Sequence, residues 1–192
     1  STCQAVDMFN PEIQSAITRN GIALGNYSRA LFLLEGPGMA GGCSGIGKSD
    51  IRLNGSTYSL SQSWVGLRDY NTKSSNHPFA WTRLDFVMSH ELGHALGVMH
   101  ANGWDCGTNV IGGNCSHVEY GNVYDTMGDS NSLSLHFNAF YKELLGWITP
   151  SSIVDITNSG TYTINPLEGV GLSAQPRKLA AKIRMKNSNI YP

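Results

Sequence analysis

The chain has 192 residues, enough to bury one sizeable core with the beginning of a second. Only 14% of it is charged and the net charge is -1, so it carries no electrostatic footprint for nucleic acid or an anionic membrane. It contains no run of 18 or more apolar residues, so no membrane-spanning helix is expected.

Glycine is abundant, at 22 residues, which favours turns and short strands over long helices. No charged-then-apolar leader precedes Ser1, and the expectation is a processed or trimmed chain. Residues 10–21 read as a helix: Asn10 can cap it, Pro11 suits its first turn, Ile13, Ala16 and Ile17 share a face, and Gly21 ends it. Arg29 to Leu34 is almost continuously apolar, as in a strand buried on both faces. Residues 36–47 are too rich in glycine for regular structure, and Gly47-Lys48-Ser49 lacks the spacing of a phosphate-binding loop. Asn54-Gly55 between alternating residues predicts a two-residue hairpin within 51–60, and Ser63 to Leu67 reads as one more strand.

The densest motif follows. His90 to His100 reads HELGHALGVMH, the pattern H-E-x-x-H-x-x-G-x-x-H. On a helix starting at Thr82, with Asp85 completing a capping-box-like pair, His90 and His94 project one turn apart from the same face and can grip one metal ion. Glu91 is placed beside the metal, as suits a base for a water molecule there. Gly97 can take a positive φ and stop the helix, so that His100 arrives from another direction. Three neutral imidazoles suit zinc, and three protein ligands leave a fourth position open. A bare H-E-x-x-H is common, but with Gly97 and His100 added the pattern arises by chance in roughly one chain in 10^5.

Residues 101–123 read as a polar, glycine-rich loop. Tyr124 to Gly128 form a turn after it, and Ser134 to Leu145 a helix with Phe137, Phe140, Tyr141, Leu144 and Leu145 on one side and Gly146 as its stop. From Ile153 to Ile183 the pattern alternates, with turns at Ser159-Gly160 and Pro176, which predicts β-structure too short to close a sandwich alone. The expected division is therefore 1–149 as one domain and 150–192 as the opening of a truncated second. Four cysteines allow three pairings; closeness in sequence favours Cys3 with Cys43 and Cys106 with Cys115, against free thiols in a reducing compartment. Sequons at Asn26, Asn54 and Asn114 matter only in a eukaryotic secretory pathway.

HELGHALGVMH is similar to the extended zinc signature of the metzincin metallopeptidases, and YDTMGD resembles their Met-turn. FNAFYKELLGWI and the residues after the third histidine most resemble the gametolysin-like secreted peptidases. Two departures stand out. Ala101 follows the third histidine where astacins carry Glu and adamalysins Asp, and no tyrosine lies two residues after Met127, so no tyrosine switch of the astacin kind is expected.

The resemblance implies an α+β fold with a twisted mixed sheet, an active-site helix, the Met-turn and a closing helix, followed here by the β-rich segment. It implies a secreted zinc endopeptidase acting on polypeptides, with an inhibitory propeptide in its precursor. One catalytic zinc ion would be held by His90, His94 and His100, Glu91 would be the general base, and Met127 a non-ligating apolar floor. The strand before the helix would lie at the sheet edge and pair with the substrate backbone. Asp125 is a candidate acceptor for a ligand imidazole, and Tyr120 and Tyr124 candidate donors to the developing oxyanion; His117 and His136 have no partner spacing. A monomer is expected, without nucleic-acid partners. The rival reading is a non-catalytic adhesin or carbohydrate-binding module with a structural zinc; a zinc hydrolase of non-peptide amides is a third.

Overall fold

A computed structural model describes residues 11–35, 41–67, 80–109, 114–129, 135–168 and 177–183. Cys3, and Ser134 at the start of the expected closing helix, lie outside them. The chain divides into two compact units, Ser1–His136 and Phe137–Pro192.

The first unit opens with helix α1 (Pro11–Arg19). Gly21, at φ +62°, ends it: Gly21 N–H donates to Thr18 C=O and Ile22 N–H to Ile17 C=O, the pair of bonds that closes a helix over a left-handed glycine. Four strands follow, β1 (Arg29–Leu34), β2 (Gly42–Ser44), β3 (Ser49–Leu53) and β4 (Ser56–Gly66). The backbone at Asn54 and Gly55 has φ of 50° and 80°, which matches the twist of a tight hairpin and joins β3 to β4 antiparallel.

Strand β4 organises the sheet. Its first half pairs with β3; its second half runs between β1, which is parallel, and β2, which is antiparallel. Side chains alternate across it. On one face Leu60 joins Ile17, Leu24, Ile51 and Leu53, with Ala30, Phe32 and Tyr58 packed against them. Trp64 shares that parity and stacks on Phe32 at 4.0 Å between ring centres. On the other face Val65 packs with Leu84, Leu31, Val87 and Met88 beneath helix α2 (Ala80–Leu96).

Three expectations need correction here. Ser63–Leu67 is not a separate edge strand: all but Leu67 belong to β4, in the middle of the sheet, and among the described residues β2 is the edge that lies against α2. A three-residue strand thus forms inside the glycine-rich stretch. β1 is not buried on both faces; it pairs with β4 alone among the described residues, and Leu33 is 48% exposed. Helix α2 begins two residues before Thr82, which therefore lies in its first turn instead of capping it.

Residues 101–123 are more regular than their composition predicts. Strands β5 (Gly103–Asp105) and β6 (Ser116–Val118) form an antiparallel ribbon, and Cys106 is bonded to Cys115 at its end. Cys43, buried on β2, is also disulfide-bonded.

The second unit holds helix α3 (Ala139–Leu144) and two parallel strands, β7 (Ile153–Ile156) and β8 (Ala180–Ile183). Asn138 caps α3, its Oδ1 accepting from Tyr141 N–H at 2.9 Å, so the helix starts later than the apolar pattern predicts. Within α3, Tyr141 is buried while Phe140 and Leu144 stay exposed. Lys142 pairs with Glu168, and Lys182 with Glu143 at 2.5 Å. These links tie α3 to the segment after it, within the second compact unit. No helix among the described residues is long and apolar enough to cross a membrane.

Candidate metal centre

Helix α2 carries His90 and His94 on successive turns and ends as its sequence predicts. Gly97 has φ +100°, its N–H donates to His94 C=O at 2.8 Å, and Val98 N–H donates to Gly93 C=O at 3.1 Å. That reversal returns His100 to the first two rings. Ala101 is then pinned from both sides, its N–H donating to Met127 C=O and its C=O accepting from Asn122 N–H.

The three imidazoles converge. Ring centres are 4.9 Å apart for His90–His94 and His94–His100 and 5.3 Å for His90–His100, and one potential ligand atom from each lies within 4.8 Å of the others. Their outward nitrogens are all engaged. His90 Nδ1 lies 2.8 Å from Thr126 C=O, His94 Nδ1 2.9 Å from Val98 C=O, and His100 Nδ1 2.7 Å from Glu119 Oε1. A carbonyl oxygen can only accept, so Nδ1 of His90 and His94 carries the proton and Nε2 keeps its lone pair. The carboxylate of Glu119 imposes the same tautomer on His100. The donor set therefore fits a cation that takes nitrogen ligands, and among the described residues no fourth imidazole, thiolate or carboxylate joins it.

Burial tunes the site in the same direction. His90 is 8% exposed, and loss of solvent lowers its pKa to about 4, against the opposing hydrogen bond to Thr126 and with help from its two neighbouring imidazoles. His94 is lowered too, again chiefly by burial. His90 therefore stays neutral well into the acid range, and burial favours the neutral form of His94 in the same direction. Glu91 is 7% exposed, and burial raises its carboxyl to about 7.

Glu91 is placed by the sheet. Its backbone carbonyl accepts from Ser63 Oγ at 3.0 Å, and Ser44 Oγ lies 3.0 Å from that hydroxyl. Its side chain lies over Gly42 on β2, where an added Cβ would fall 2.7 Å from the carboxyl carbon, so only glycine leaves room for it. A cleft of about 350 Å³ opens beside it, lined by His90, Glu119, Tyr120 and Asp129 with apolar Phe86 and Val87.

Met127 is fully buried, in the turn whose Thr126 carbonyl holds His90. Asp125 lies in this turn as well, but its Oδ1 accepts from Met127 N–H at 2.6 Å and stiffens the turn. The acceptors for the three rings are instead Thr126, Val98 and Glu119, none of which the motif singles out. For Thr126 and Val98 no side-chain signal exists, because the backbone does the work. Glu119 could have been sought as an acid on the loop leading back from the third histidine.

Tyr120 lies tilted by 35° against His100, with ring centres 3.8 Å apart, and its backbone has φ +60°. Burial, then Glu119 and Glu91, raise its phenol pKa, so it keeps its proton at neutral pH. Tyr124 is 83% exposed and does not line the cleft. His117 lies on β6 against Trp104, and His136 contributes its carbonyl to Thr126 N–H; neither joins the three-imidazole cluster.

No family model matches this chain, and no curated protein or solved structure matches it either.

Proposed function

We propose that the chain is a secreted zinc endopeptidase of the metzincin type, with His90, His94 and His100 as the metal ligands and Glu91 as general base. The observation that carries the reading is the pairing of three Nε2 donors, oriented by their Nδ1 partners, with a buried carboxylate one residue along the same helix. A purely structural site has no use for such a carboxylate and normally recruits a fourth protein ligand. Two engaged disulfide cysteines, Cys106 and Cys115, together with Cys43, favour an oxidising compartment.

Zinc in this position would supply Lewis acidity, polarising a carbonyl oxygen and acidifying a water molecule. The protein's own residues do the rest. Ionised Glu91 accepts the proton of the attacking water and passes it to the departing amine nitrogen. Tyr120, which keeps its phenol proton, is a hydrogen-bond donor in the wall of the same cleft. β2 runs over Glu91 and, among the described residues, lies at the edge of the sheet beside β4, a place where an extended polypeptide can add as a further strand irrespective of side chains.

The direct test is digestion of an unstructured protein by the purified chain. Fragments are expected with zinc, none after chelation, and recovery on adding zinc back; cleavage that persists after the metal is stripped would overturn the reading.

The pKa directions add a second expected result. Glu91 must be ionised to work and starts from about 7, whereas His90 resists protonation down to about 4. A bound cation pulls the carboxyl below 7 by favouring its charged form. On acidification, cleavage is therefore expected to fail before zinc is released. Parallel pH profiles of peptide hydrolysis and zinc retention check this, and coincident midpoints would contradict it.

A further inference from the structure

We propose that Glu119 is a positioning residue for the third metal donor, His100, and that the Cys106–Cys115 crosslink keeps it in place. The proposal rests on the reading of His90, His94 and His100 as a metal centre.

The three ligands are not held alike. His90 and His94 are oriented by backbone carbonyls, one from the turn containing fully buried Met127 and one from Val98, just past the end of α2. His100 is oriented by a side chain. Glu119 is 19 residues away in sequence yet 2.7 Å away in space, and its side chain is 61% exposed. A long exposed side chain holds one rotamer only if its own backbone is fixed, because several torsions must be frozen at once.

That backbone belongs to the β5–β6 ribbon. β5 begins three residues after His100, and β6 runs directly into Glu119 and Tyr120. The ladder has three pairs, Gly103 with Val118, Trp104 with His117 and Asp105 with Ser116. Its residues bury little: Trp104 is 57% exposed and Val118 41%. A two-stranded ribbon of this size without a covered apolar face is marginal by itself. The next pair in register is Cys106 with Cys115, and it is covalently closed. At the other end, Tyr120 N–H donates to Asn102 Oδ1 at 3.2 Å, and Asp129 N–H to Tyr120 C=O at 2.8 Å. The ribbon is thus clamped at both ends, and Glu119 sits at the end nearer the metal donors.

A carboxylate on Nδ1 fixes the tautomer of a ligating imidazole, orients its ring and makes Nε2 more basic; loss of such a partner typically weakens metal binding tenfold to a hundredfold. The experiment titrates the full chain with zinc against a chromophoric chelator and records the visible spectrum of its cobalt-substituted form. Glu119→Ala is expected to weaken zinc binding roughly ten- to a hundredfold and to alter the cobalt bands, with far-ultraviolet circular dichroism unchanged. Glu119→Gln, which can still accept from Nδ1 but lacks the charge, is expected to fall between; it also stands in if the alanine variant does not fold.

Replacing both Cys106 and Cys115 by alanine removes the crosslink without leaving thiols to bind zinc. It is expected to weaken binding measurably, though by no more than Glu119→Ala does, and to add little once Glu119 is already alanine; unchanged binding without the crosslink would overturn its role. Glu119 variants that bind zinc as the wild type does would overturn the positioning role. Full additivity of the two changes would overturn the link between crosslink and carboxylate. A wild-type protein that binds no zinc would instead refute the metal centre itself.

Discussion

Glu91→Ala is expected to leave a folded, zinc-loaded protein that no longer cuts polypeptides, with turnover reduced by roughly 10²–10⁴-fold, the range general acid–base groups supply. The separation of the two properties is what makes the variant informative. Glu91 is not among the three converging donors, and its carboxylate lies over Gly42 on β2. Its backbone carbonyl, which Ser63 holds, survives the substitution. Zinc affinity should therefore stay within a few-fold of the wild type while peptide hydrolysis disappears, as measured by chelator competition and a quenched-peptide assay on the same preparation. Retained hydrolysis would remove Glu91 from the chemistry, and loss of zinc would make it a ligand.

The other large effect is expected from His94→Ala, which should lose the metal and cleavage together. Structural zinc sites with four ligands are worth roughly 10–16 kcal/mol, or about 3 kcal/mol per donor if shared evenly, so deleting one should weaken binding a hundredfold or more. His94 sits between its fellows, with ring centres 4.9 Å from both. Because the metal binds the folded protein, the variant should also lose the zinc-dependent rise in melting temperature, which in the wild type grows with the logarithm of free zinc. Equal zinc-induced stabilisation in the variant and the wild type would show that the ion binds elsewhere.

Local chemistry made much of this fold legible. Gly21, Gly97 and Gly146 all close helices through the same pair of backbone bonds, because a residue without Cβ takes the left-handed conformation freely. Asn54-Gly55 gives a two-residue turn for a similar reason. The convergence of His90, His94 and His100 follows from helical pitch and from the reversal at Gly97.

Other features were hidden because they depend on partners distant in sequence. That Ser63 lies mid-sheet is decided by β1 and β2, which no local pattern in SWVGL reports. The β5–β6 ribbon has weak intrinsic preference and stands on a disulfide. Asp125 attracted attention as an acid near the ligands, yet a backbone N–H two residues on was the nearer claimant. The family reading came from the spacing in HELGHALGVMH and the likeness of YDTMGD; the geometry adds an Nδ1 partner for each histidine and shows Met127 fully buried in the turn that holds His90.

The hairpin bend at Asn54-Gly55 has a consequence far from where it lies. β4 leaves that bend and reaches Ser63 eight positions later, about 26 Å along at the usual rise of a strand. Adjacent residues look in opposite directions, so the bend sets the phase of every position downstream. Shifted by one, the hydroxyl that grips Glu91 would turn away and the indole of Trp64 would be driven under the helix. A surface corner with no reactive group of its own thus acts as the indexing mark from which Glu91 takes its alignment.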